Sequence, residues 1–130
     1  MKKNSWYLVN GMKLEYMGKE KEDCNCSMCG RELKQGHIFE SDNYGMIVIG
    51  SECIKKVEIE DITKAMKIPQ LKIQLSNNEI RTLKELKKET AYCIEWLEME
   101  ISDHVEDESK YIKACRKQIE QCEKLLNEIE

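Results

Sequence analysis

The stretch that decides the fold is Cys26-Ser27-Met28-Cys29-Gly30, read together with Gly50-Ser51-Glu52-Cys53 a hairpin's length further on. In the first, two thiols share a short loop that turns both toward one point, and Gly30 permits the tight backbone turn that follows. In the second, Ser51 has the character of a helix N-cap. Cys53 then falls in the first turn of a helix, where the helix dipole favours the thiolate. Sulfurs converging from a loop and a helix start match the tetrahedral, sulfur-rich coordination of a structural zinc ion. Cys26, Cys29 and Cys53 are therefore expected to hold one zinc, with one further ligand closing the tetrahedron.

His37, on the strand that leaves the knuckle, is the preferred fourth ligand. Cys24 is the alternative, two residues before Cys26 and so on the same strand face. The chain has seven cysteines, an odd number, and shows no leader peptide, so metal ligation with buried thiols is expected rather than a disulfide framework. A redox dithiol would sit in a βαβ pattern, which the flanking sequence does not show. A catalytic zinc would keep an open position beside a base. Near these cysteines only Glu52 offers one, and it reads better as a capping or solvated group. No catalytic residue is expected, and the chain is read as non-enzymatic.

Residues 5–17 alternate in polarity around Asn10-Gly11, the signature of a type I′ hairpin. Residues 36–49 give two further β-rich runs around Ser41-Asp42-Asn43. A short helix follows through about Lys56, then another from Ile59 to Met66. Knuckle, hairpin and helix-borne cysteine together describe a small antiparallel β, treble-clef-like zinc module. Glycine and proline then thin out: all six glycines lie between Gly11 and Gly50, and Pro69 is the only proline. The shift divides the chain into a β-rich zinc-binding module over 1–68 and a helical region over 76–130, an α+β protein.

Ser76-Asn77-Asn78-Glu79 reads as a capping box that starts a long helix. Its apolar stripe is Ile80, Leu83, Ile94, Leu97 and Ile101; a second stripe, Ile112, Cys115, Ile119, Cys122, Leu126 and Ile129, has coiled-coil spacing. The phase slips at Ser102-Asp103-His104-Val105, which favours a helical hairpin. The alternative, one continuous coiled-coil rod of roughly 80 Å, would need a second chain to cover its stripe and so a homodimer through the helices. Cys93, Cys115 and Cys122 read as small buried hydrophobes and His104 as a solvated side chain.

Charge is divided unevenly. Residues 1–75 carry 12 Lys/Arg against 11 Asp/Glu, and residues 76–130 carry 9 against 14, so the net −4 belongs to the second half. This balance argues against nucleic acid as a direct ligand, because phosphate binding rewards clustered cations. It suits a protein partner with a basic surface. On the first long helix Tyr92, Trp96 and Met99 lie opposite the apolar stripe, framed by Glu95 and Asp103, the composition of an interface anchor in an acidic rim. The competing reading packs these three against the zinc module. A second function class, a nucleic-acid-associated zinc-finger regulator, would use Arg31, Lys34, Lys55 and Lys56. With neither an N-terminal leader nor an apolar run near the ~20 residues of a membrane span, a cytoplasmic protein is expected.

The run Cys26-Ser-Met-Cys29-Gly-Arg-Glu-Leu-Lys, followed by Gly50-Ser-Glu-Cys53-Ile-Lys-Lys, resembles the small zinc-binding modules of phage and mobile-element proteins over about a quarter of the chain. Joined to an acidic helical half, the whole resembles a phage anti-CRISPR metalloprotein. That resemblance implies an inhibitor that acts in the host cytosol by occupying the surface of a defence protein such as a Cas nuclease. Some such modules place His where Arg31 stands, after the knuckle.

Overall fold

The computed structural model describes residues 1–20, 24–41, 43–104 and 110–129. It is a mixed α+β chain that divides into two compact units, Met1–Thr63 and Lys64–Glu130. No helix among the described residues is long and apolar enough to cross a membrane.

The first unit is built on an antiparallel hairpin, β1 (Trp6–Val9) and β2 (Met12–Glu20), closed by Asn10-Gly11 with φ of 48° and 80°. Positive φ at both central residues is what a type I′ turn demands, and it sets Val9 opposite Met12. Asn10 also clamps the chain that returns after the knuckle: its amide donates to Glu58 O and its Oδ1 accepts from Glu58 N, both at 2.9 Å. A two-stranded ladder of β3 (Cys24–Asn25) and β4 (Glu32–Leu33) flanks the knuckle. β5 (Gly36–Ser41) and β6 (Gly45–Ile49) then extend the main sheet, whose full order is β6-β5-β2-β1-β7. Of the expected turn Ser41-Asp42-Asn43, Asp42 lies outside the described residues.

One face of this sheet carries Tyr7, Val9, Leu14, Tyr16, Phe39 and Ile49 as a buried cluster, with Cys53, Ile54 and Val57 packed against it. The cysteine-bearing helix α1 (Ser51–Ile54) is thus seated on the core face. Its N-cap is Gly50 rather than Ser51, and no side chain caps it. The expected helix over Ile59–Met66 divides in two. Ile59–Asp61 is strand β7, paired with β1, and only Thr63–Met66 is helical (α2). The exposed edge of β1 offered unpaired backbone groups to a short alternating run, and tertiary pairing overrode the helical reading.

In the second unit α3 (Pro69–Asn77) begins with Pro69 in its first turn, where the missing N–H is harmless. The amide of Gln70 is satisfied instead by Gln118 Oε1 at 2.8 Å. Ser76 is interior to this helix and donates back to Lys72 O at 2.8 Å, so it caps nothing. The capping residues are Thr82 and Glu85: Thr82 Oγ1 accepts from Glu85 N at 3.2 Å, and Glu85 Oε2 accepts from Arg81 N at 3.0 Å. They open α4 (Leu83–Asp103), and His104 ends it. Val105 of the expected slip lies outside the described residues. α5 (Lys110–Ile129) packs on α4. Contacts between Glu100 and Tyr111 (3.2 Å) and between the Cys93 and Cys122 sulfurs (3.8 Å) make the pair antiparallel. The two long helices therefore meet within one chain as a hairpin. Leu86, Thr90, Cys93 and Leu97 of α4 and Ile112, Cys115, Cys122 and Leu125 of α5 are buried.

The relocated cap is testable. Thr82→Ala should destabilise the helical unit by about 1 kcal/mol in denaturant melts, while Ser76→Ala should stay within about 0.5 kcal/mol. The reverse order would restore the cap to Ser76.

Candidate metal centre

The knuckle is fixed from both ends by backbone bonds. Cys26 N donates to Arg31 O at 2.9 Å and Gly30 N donates to Cys26 O at 2.8 Å, closing a loop in which Gly30 sits at φ +74°. An L side chain there would be strained, which is the need the glycine meets. The loop is then fastened to the free edge of β6: Ser27 N donates to Val48 O at 2.7 Å, and Ser27 Oγ accepts from Val48 N at 3.0 Å. One residue past the strand, Gly50 N donates to Cys26 Sγ at 3.4 Å. Gly50 O, in turn, accepts from Ile54 N at 2.9 Å, so the residue that touches Cys26 also starts the helix carrying Cys53.

The result is that the sulfurs of Cys26, Cys29 and Cys53 all lie within 4.8 Å of one another. Three thiolates around a tetrahedral ion with metal–sulfur bonds of about 2.3 Å stand about 3.8 Å apart, so this spacing fits a metal with small adjustments. Three soft sulfur donors suit a thiophilic divalent ion, and the cluster could hold one. Cys26 is 2% exposed, Cys53 half-buried and Cys29 exposed, so the cluster opens outward on the Cys29 side.

Electrostatics divide the three. Burial opposes ionisation of Cys26, but amide hydrogens of Gly50, Cys29 and Met28 directed at its sulfur outweigh burial and bring its pKa down to about 6. Cys53 is pushed up to about 11, chiefly by its hydrogen bonds to Cys29 and Cys26. The expectation that the helix start would lower Cys53 is reversed. The sulfur stabilised as thiolate is the one in the knuckle, and Cys53 keeps its proton because it donates to its neighbours.

Neither candidate for the fourth ligand belongs to the cluster. His37 lies buried on β5, with its Nδ1 2.9 Å from Tyr16 Oη and its ring against Tyr16, which also packs on Phe39. Burial first, then the charges of Lys19 and the N-terminus, lower its pKa, so it is a neutral imidazole near pH 7. Cys24 pairs with Leu33 in the small ladder. Its sulfur lies 3.3 Å from where a side-chain carbon on Gly36 would stand, and Val48 lies 2.5 Å from that same point. Gly36 is therefore required by close approach.

Ser27 and Gly50, which do most to position the sulfurs, were not marked by the motif spacing. A cysteine pattern names donors and not the amides that orient them. Among the other candidates, Tyr92, Trp96, Met99, Glu95 and Asp103 are all exposed on α4. No known family matches the chain, and no curated protein or solved structure matches it either.

Loading the cluster must displace the proton that Cys53 holds up to about 11 and, in acid, the one that Cys26 takes up below about 6. Metal binding near pH 7 should therefore release at least one proton per ion in weakly buffered solution, and affinity should fall steadily as pH is lowered toward 5. Affinity independent of pH over that range would show that these thiols are not the donors. Separately, Gly36→Ala should destabilise the β unit by about 1–3 kcal/mol in thermal melts through the Val48 clash.

Proposed function

We propose that this chain is a non-enzymatic interaction protein in which one zinc ion staples a treble-clef-like module and an acidic helical face docks on a basic protein surface. The observation that carries the reading is the exposure of three large apolar side chains on one side of α4, where Tyr92 is 52%, Trp96 38% and Met99 67% exposed. Spacings of four and three residues put them on a single stripe, opposite the buried Leu86, Thr90, Cys93 and Leu97. Glu95 and Asp103 flank this stripe and are exposed as well. An aromatic anchor in a carboxylate rim is the composition of a protein interface with a cationic partner.

Zinc is favoured over other ions at the cysteine cluster because it prefers sulfur-rich tetrahedral sites, and a knuckle pair joined by a third thiolate supplies three of the four donors. The narrower form of the proposal follows the resemblance to phage anti-CRISPR metalloproteins. In it the partner is a host defence protein such as a Cas nuclease, blocked at a surface that would otherwise hold nucleic acid.

The test is capture of a partner from host lysate, followed by titration with purified material. Binding should weaken at least tenfold between low and high salt, and again in Trp96→Ala combined with Glu95→Lys. Unchanged affinity in the double variant would reject this face. A captured partner with no nucleic-acid channel would reject the anti-CRISPR form.

A further inference from the structure

A cavity of about 240 Å³ opens beside the sulfur cluster. Cys29 and Cys53 line it, together with Arg31, Gln35, Ser51 and Lys56. We infer that a metal held by Cys26, Cys29 and Cys53 presents its fourth coordination position to this cavity, where it takes a small carboxylate ligand from solution. The inference rests on the metal-binding reading of the cluster and goes beyond it, since a purely structural ion would be closed by four protein ligands.

Three observations support it. Among the described residues neither His37 nor Cys24 joins the three sulfurs: His37 turns its Nδ1 to Tyr16 in the sheet core, and the Cys24 sulfur lies against Gly36. The cluster is asymmetric, with Cys26 shielded and Cys29 exposed, so the face of an ion turned away from Cys26 is the face that meets the cavity. Charge then selects the ligand. A divalent ion with three thiolates carries a net −1, and an added carboxylate would bring the centre to −2. Arg31 and Lys56 on the same wall offset this. A guanidinium pairs with a carboxylate in a planar fork, so one oxygen can bind the metal while the other meets Arg31.

Among the described residues one carboxylate of the chain itself lines the cavity. Glu52 makes only a loose 3.8 Å ion pair with Lys55, both side chains being largely exposed. The experiment separates it from a ligand in solution. The full chain is loaded with Co²⁺ in place of zinc, and its visible ligand-field bands are followed while sodium acetate is added at constant ionic strength. Saturable band shifts are expected in the wild type. Arg31→Ala and Lys56→Ala should each weaken acetate binding about threefold or more, with unchanged Co²⁺ stoichiometry and melting temperature. A spectrum indifferent to acetate overturns the inference. In that event the variant that changes the bands, among Glu52→Gln, His37→Ala and Cys24→Ser, identifies the residue that closes the site. Failure to bind Co²⁺ at all would instead overturn the metal reading on which the inference stands.

Discussion

The first unit depends on the fastening of the knuckle to the edge of β6. Ser27 exchanges two hydrogen bonds with Val48, and the Gly50 amide then points at Cys26 Sγ. These bonds answer two needs at once. They satisfy backbone groups that an edge strand would leave open to pairing with another chain. They also fix where Cys26 and Cys29 stand relative to the helix start that carries Cys53, so the register of β5 against β6 sets the geometry of the sulfur cluster. With Ile49 opposite His37, the strand ends one residue short of Gly50, and the chain turns into α1 where the knuckle waits.

Much of this was legible in the sequence, for reasons that differ by element. Asn10-Gly11 was readable because only a few residues tolerate two successive positive φ values, so the turn declares itself locally. The three cysteines were readable because their spacing encodes convergence. The misreadings share a cause, which is that local signals compete with tertiary partners the sequence does not name. Ser76-Glu79 has the letters of a capping box, yet Pro69 starts a helix that runs through Ser76, and Thr82 and Glu85 take the capping role six residues on. Ile59–Asp61 joined a sheet because β1 had an open edge, and Leu125 rather than Leu126 became the buried residue of the last turn of α5. The fastening roles of Ser27 and Gly50 were not legible for a simpler reason: backbone amides leave no mark in a residue pattern, and a lone serine in a loop does not name the strand edge its hydroxyl meets.

The helical unit shows how burial assigns meaning to a stripe. α4 has apolar residues on two sides, and sequence periodicity cannot say which is covered. Leu86, Thr90, Cys93 and Leu97 are buried, and the tight contact of Cys93 with Cys122 explains why a small polarisable side chain occupies that position on each helix. The opposite side, with Tyr92, Trp96 and Met99, remains open to solvent. Carboxylates stand beside this open stripe, since Glu95 and Asp103 are exposed on the same helix.

Size gives the last argument for a metal in the β unit. About 60 residues bury little apolar surface, and domains at that scale hold together by small margins unless a staple is added. The sheet's buried face is a cluster of six side chains, and α1 is a single turn with no side-chain cap. Nothing in so short a helix is self-sustaining, since nucleation outweighs the few bonds it forms. Its position rests on Ile54 and Cys53 packing against the cluster. An ion shared between Cys53 and the knuckle would tie that turn to the sheet edge by bonds far stronger than these contacts. The thiol arrangement points the same way: Cys53 holds its proton toward Cys29 and Cys26, and a divalent ion bound by the three sulfurs would take the place of that proton.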